Sequence, residues 1–336
     1  MNLSTDSLMS TVRSTAGIKF AIIAVLLLLM PFVTGISLAN EILVFAVFAL
    51  GYNFLLGYGG ELSFGHSAYF GIGAYGTVLL IEHDVTGSIY VAVVAGVILT
   101  TLIGIVFGFI SLRRRGIYFA MITLALAMMV YFVVLKWTEF TGGDDGAVVP
   151  VMDASIGPVN PTAGGFEFYI FGLIILLVVW ISLSRVLNSS YGRALIAVRE
   201  NEERAKHLGY EVNKLLLISF TISALISGLA GALFAVAFAF ITPELLFWTV
   251  SGEIVLIALM GGIGTLGGPI VGAAVFIFAQ DAAVSFTEHW ELVFGALIIL
   301  FVLFIPEGLY GKLTDYLDDE TQLFDTDALR ERFDMK

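Results

Sequence analysis

The sequence predicts an all-α integral membrane protein, a polytopic helical bundle with about nine (eight to ten) transmembrane segments, some of them Gly-broken or re-entrant. Three observations carry that reading. Of 336 residues, 59% are apolar and 13% are charged, against roughly 45–50% and about 25% in soluble domains. That much apolar side chain exceeds what a water-soluble core can hide, so lipid is the solvent for most of the surface. In lipid only helices and closed barrels satisfy their own backbone, and the apolar runs here are long and continuous rather than alternating with period two, which selects helices. Finally, the basic residues fall almost entirely on one side once the runs are counted as crossings.

A crossing needs about 20 apolar residues to traverse roughly 30 Å of hydrocarbon. On that scale spans fall near 18–36, 38–58, 61–81, 88–110, 116–136, 167–186 and 214–242. A Gly-broken segment at 251–284 is long enough for a short hairpin, and a last span covers 290–306. The membrane region is therefore 18–306, between a cytoplasmic N-terminal segment 1–17 and an acidic cytoplasmic tail 307–336. The first run has two readings. It follows Arg13 and Lys19 and precedes Ser37-Leu38-Ala39 as a cleaved signal peptide would, whereas Pro31 and Phe32 extend it toward a true crossing. Lys and Arg are retained on the cytoplasmic side. Arg13, Lys19, Arg113 to Arg115, the cluster from Arg185 to Lys214, and Lys312, Arg330, Arg332 and Lys336 then share that side, leaving Lys136 outside, which makes the N-terminus cytoplasmic and the location the cell membrane. Trp137, Trp248 and Trp290 fall near outer ends and Trp180 toward an inner end, as interfacial aromatics do. The outer loop 137–166 is rich in turn formers, and the inner loop 187–213 reads as helical.

Composition also excludes chemistry. With no cysteine there is no disulfide, thiolate ligand or cysteine nucleophile. His66, His83, His207 and His289 have no paired spacing, so no metal site is expected. No Gly-x-x-x-x-Gly-Lys-Ser/Thr phosphate loop is present, which rules out the ATP-hydrolysing part of any transporter. Nothing points to a cofactor or to nucleic acid. The net charge of −12 sits in loops and tail; an acidic exterior of this kind suits concentrated salt, a halophilic setting, or serves plain solubility.

Two Gly-rich stretches stand out within the membrane region. Gly57, Gly59, Gly60, Gly65, Gly71, Gly73 and Gly76 accompany Glu61, Ser63, His66 and Ser67, and Gly261 to Pro269 is broken in the same way in the other half. A broken helix exposes backbone that must face protein or water, and paired breaks point to a midplane transport site. On this reading Ser63, Phe64, Gly65, His66, Ser67, Tyr69, Gly261, Gly262, Gly264 and Pro269 are candidates for a translocation path, with tight helix packing equally open. Glu61 reads as a solvated inner end, and His66 as a gate, a substrate contact or a satisfied interior hydrogen bond. Glu253 reads either as an ionisable group in a span with a partner or a water contact or, after Thr249 and Ser251, as an N-terminal cap. Ser223, Ser227 and Gly231, and the pairs Gly104 with Gly108 and Gly268 with Gly272, make small-residue faces for another subunit or for packing within the chain.

The inner loop carries Arg193, Arg199, Glu200, Glu202, Glu203, Arg204 and Lys206 on a helical stretch that stops at Gly209. It is either a solvated surface helix or a docking helix. Glu203, Ala205 and Gly209 match the Glu-Ala-Ala-x-x-x-Gly coupling loop of ATP-binding-cassette importer permeases, with Arg204 in place of the middle alanine. The flanking Tyr191-Gly192-Arg193-Ala194-Leu195 and Val198-Arg199-Glu200-Asn201-Glu202 resemble the LivM-type permeases of branched-chain amino acid importers. So do Asn53 to Tyr58, Leu62 to His66, Arg115 to Ala120 with Thr123-Leu124, Thr141 to Gly143 with Gly146, and Gly261 to Pro269, in order over roughly 40–305. The resemblance implies a second homologous permease subunit, two cytoplasmic ATPase subunits holding the ATP and magnesium, and an extracytoplasmic substrate-binding protein. It implies no catalytic residue in this chain. For a branched zwitterion, Ser63, His66 and Ser67 would meet the polar ends and Phe64, Tyr69 and Phe70 the apolar body. Similar permeases pass urea or amides, and the rival class is an ion-coupled secondary transporter or channel, which calls for buried carboxylates that the spans hold sparsely.

Overall fold

In the computed structural model, which describes residues 23–148, 164–286, 289–304 and 308–311, the apolar runs are helices. A short α1 (Ile23–Thr34) leads into α2 (Ile36–Asn53), which widens into a π-helical turn at Phe54–Tyr58. Then come α3 (His66–Glu82), α4 (Ile89–Ser111), α5 (Ile117–Lys136) and the single turn α6 (Thr138–Thr141). After the outer loop follow α7 (Phe166–Leu187), α8 (Ser190–Glu200), α9 (Glu202–His207), α10 (Val212–Phe238), α11 (Trp248–Gly261), α12 (Gly268–Phe286) and α13 (Trp290–Phe304).

Six described helices are long and apolar enough to cross a membrane: α2 with its π turn, α4, α5, α7, α10 and α12. By that measure the expected nine is not reached. α3 has 17 residues, α11 has 14 and α13 has 15, below the roughly 20 of a full crossing. Glycine is the reason for α3: the run read as 61–81 becomes helical only at His66, because Gly60 to Gly65 lie outside regular helix. Segment 1–17, the centre of the outer loop and all of the acidic tail beyond 311 lie outside the described residues.

Burial sorts the helices by neighbour. The α2 span is 89% buried and packs against α10, α12 and α7, whereas the α5 span is 22% buried. On α5, Ile117, Met121, Met129, Phe132 and Val133 are exposed, a surface that lipid solvates and water would not. The tightest seam joins α3 to α10: a Cβ added at Gly73 would stand 2.0 Å from the Gly228 carbonyl oxygen, and one at Gly231 1.8 Å from that of Phe70. Gly104 likewise faces Ala224, and Gly272 faces the Ile257 carbonyl. The small-residue faces therefore pack within the chain.

Ala147–Val148 and Phe240–Ile241 form a two-stranded antiparallel ladder, a short addition to an otherwise helical bundle that ties the outer loop to the end of α10. Two expectations need correction. Trp137 and Trp248 are exposed, but Trp180 is buried in the bundle rather than at an interface. Glu253 is the sixth residue of α11, too far along to cap a helix that begins at Trp248.

Candidate functional site

The inner loop is built by two caps. Ser189 accepts the Gly192 N–H at 3.4 Å and starts α8, which turns Ala194, Leu195 and Val198 into the bundle and leaves Arg193, Arg199 and Glu200 outward. The single helix expected from Arg193 to Leu208 is in fact two. Asn201 is extended (φ −159°) and its Oδ1 accepts the Arg204 N–H at 2.8 Å, so it ends α8 and caps α9. Gly209 has φ +87° and its N–H bonds the Lys206 carbonyl, while the Tyr210 N–H reaches back to Ala205 at 3.1 Å. A left-handed residue at that place is a common helix stop. In α9 only Ala205 is buried; Glu203, Arg204, Gly209 and the apolar Leu208 and Tyr210 are exposed.

Two arginines connect this loop to the Gly-broken segments. Arg115, in the α4–α5 connection, places its Nε 3.2 Å from Glu202 Oε2 and 3.4 Å from Glu61 Oε1. Its Nη2 donates to Asn213 Oδ1 at 2.6 Å and its Nη1 to the Leu112 carbonyl at 2.5 Å. One guanidinium thus joins the end of α4, the Gly60–Gly65 connection, α9 and the start of α10. Glu61 is buried rather than solvated, which corrects the sequence reading. Burial pushes its carboxyl up to about 7, with Arg115 pulling down and Glu202 pushing up. For Glu202 burial also pushes up, but the hydrogen bond from Lys206 and the charge of Arg115 outweigh it and hold this carboxyl below its ordinary range.

Arg199 donates from Nη1 to the Gly57 carbonyl in the π turn, where widened backbone frees acceptors. One turn earlier, Asn53 holds the α11–α12 break: its Nδ2 donates to the Thr265 carbonyl at 2.7 Å and its Oδ1 accepts the Gly264 N–H at 3.0 Å. A Cβ at Gly57 would come within 2.6 Å of the Gly264 nitrogen. The two Gly-broken segments do meet, at the end of the bundle that carries the inner loop rather than at its middle.

The remaining path candidates are mostly enclosed. Ser63, Gly65, His66, Ser67, Tyr69, Gly261, Gly262 and Pro269 are buried, with Phe64 and Gly264 half-buried. His66 Nε2 lies 2.8 Å from Ser223 Oγ, which itself donates to the Gly51 carbonyl at 2.6 Å. The one hydroxyl proton of Ser223 is thereby used, so Nε2 carries the imidazole proton and Nδ1 accepts from Ser63 at 3.0 Å. Tyr52, Tyr69 and Phe220 pack edge-on around the ring. Ser67 and Ser251 exchange hydrogen bonds between α3 and α11 at 2.8 and 2.9 Å. Of the three roles open for His66, this geometry is that of a satisfied interior hydrogen bond.

Sequence reasoning assigned no role to Arg115 or Asn53. Their signals were present: Asn53 is a polar amide inside an apolar run, and Arg115 is the last of three arginines before Gly116, whose φ is +61°.

Comparison with known proteins bears on this arrangement. The sequence profile described as "Branched-chain amino acid transport system / permease component" matches residues 34–303. The chain is 31% identical to the LivM permease protein of the high-affinity branched-chain amino acid transport system of Escherichia coli (strain K12), over 88% of this chain and 76% of that protein. A probable LivM of Methanocaldococcus jannaschii is 25% identical over 66% of this chain and 68% of its own length. The E. coli LivH permease protein is 28% identical over 42% of this chain and 45% of its own. No solved structure matches the chain at comparable significance. With the profile covering most of its length, the chain belongs to the family of branched-chain amino acid transport system permease components.

Proposed function

We propose that this chain is one permease subunit of an ATP-driven importer and forms part of the translocation path for branched-chain amino acids. It pairs with a second, homologous permease, is driven by two cytoplasmic ATPase subunits, and receives substrate from an extracytoplasmic binding protein. LivM and LivH being separate permease proteins supports the pairing. The chain itself carries no motor, so force enters mechanically through α8 and α9, which on this reading lie in the cytoplasm.

The observation that carries the proposal is the double attachment of that loop. Glu203, Arg204, Leu208 and Gly209 are exposed for a partner. Behind them Arg199 holds the π turn of α2, and Glu202 holds Arg115 and through it Glu61. A displacement of α8 and α9 therefore pulls on Gly57, on the α11–α12 break through Asn53, and on the Gly60–Gly65 connection. All three are non-α-helical or Gly-rich backbone, which rearranges at lower cost than continuous helix. Alternating access would use this motion to open the packed Ser63 to Tyr69 region, where Ser63, His66 and Ser67 exchange their partners in the chain for the ends of the substrate.

The test is uptake by the complete complex in proteoliposomes. Glu203→Lys and Gly209→Val are expected to abolish ATP-dependent uptake of leucine, isoleucine and valine while substrate capture by the binding protein is unaffected. Uptake unchanged in both variants overturns the lever; uptake of urea in preference to all three amino acids overturns the substrate assignment alone.

A further inference from the structure

Where α4 ends and α10 begins, the two helices leave a groove of about 300 Å³ beside the Arg115 junction, with Leu112 and Asn213 common to both. Phe109, Leu112 and Leu217 wall it beside Gly108, and Arg113, Asn213 and Lys214 complete the lining. Both basic residues are exposed. The Arg113 guanidinium lies 5.0 Å over the Phe109 ring, which holds its charge against the apolar wall. Lys214 meets Glu211 at 3.7 Å, an open surface pair of little worth. Glu211 is the N-cap of α10, so the net positive charge of the rim is that of the two basic residues less this one carboxylate. The α4 span is 28% buried, and Val106, Phe109 and Ile110 are exposed beside the groove. Cationic rim above apolar trough, at the level where a crossing ends, matches the amphiphilic boundary of a bilayer leaflet.

We propose that this groove binds one anionic phospholipid, its phosphate between Arg113 and Lys214 and its upper acyl chain along Phe109, Leu112 and Leu217. The proposal needs only that α4 and α10 cross a bilayer; it does not depend on the importer reading. Free phosphate would leave the apolar walls uncovered. A helix of another subunit would bury the Arg113 guanidinium without a counter-charge, which is costly. Because Asn213, beside Lys214, receives Arg115, the bound lipid would brace the start of α10 next to the coupling junction.

Native mass spectrometry of the full chain, released from micelles containing equal phosphatidylglycerol and phosphatidylcholine, reads the occupant directly. A retained phosphatidylglycerol adduct is expected, weakened roughly thirtyfold at low salt by Arg113→Gln with Lys214→Gln, on about a fivefold effect per basic residue, and unchanged by Arg185→Gln. Equal retention of the two lipids, full retention in the double variant, or displacement by millimolar inorganic phosphate overturns the proposal. Loss of the adduct when the second permease is present overturns it too, making the groove a subunit seam. Should the double variant fail to fold, the wild-type chain still decides: an adduct that weakens with ionic strength supports the site, and one indifferent to salt overturns it.

Discussion

Four segments of the chain converge on the guanidinium of Arg115, and no lysine reproduces a planar fork with that many donors. Arg115→Gln leaves Glu61 buried without its counter-charge and is expected to destabilise the fold by about 2 kcal/mol, read as a lowered unfolding temperature in detergent; an unchanged midpoint would show the network to be idle. Glu61 also sets a pH dependence. Its folded carboxyl is raised to about 7, above its ordinary 4.5. The native state therefore holds the proton more tightly than the unfolded chain does, and this contribution is complete below about 4.5 and lost as pH rises through 7. Thermal midpoints taken across that window should fall in the wild-type chain and fall less in Glu61→Gln. At this scale the sequence named the right residue types and left their partners open. His66 finds its hydrogen-bond partner in Ser223, 157 positions away, a contact that spacing does not reveal.

Helices were legible because a crossing is a compositional event. The runs read as 88–110, 116–136 and 167–186 are observed as Ile89–Ser111, Ile117–Lys136 and Phe166–Leu187. Breaks were less legible. Glycine announced the interruptions at Gly60 to Gly65 and Gly262 to Gly267, but that Phe54–Tyr58 would widen into a π turn, with Arg199 donating to its Gly57 carbonyl, has no mark in the spacing. Asn201 was read inside one helix because its flanks are strong helix formers, and its preference for capping won. Asn201→Ala is expected to remove about 1 kcal/mol from α9. Hydrogen exchange of the amides of residues 202–207 should then quicken about fivefold, and unaltered exchange would mean that the break persists without its cap.

For the whole molecule, the apolar content decides the solvent and the net charge of −12 decides the exterior. We propose that this acidity is an adaptation to concentrated salt: the unfolding temperature of the purified protein should drop on desalting from molar potassium chloride, and indifference to salt removes the idea. By itself the sequence determined the solvent of the protein, the helical class and the family. Each of these is written locally, in runs of one composition or in a short motif. What only the tertiary structure decided is how the inner loop is fastened, through Arg199 to Gly57 and through Glu202 and Arg115 to Glu61, and that the two glycine-rich breaks meet beside it. Those contacts join segments far apart in the chain, and packing alone brings them within hydrogen-bonding distance.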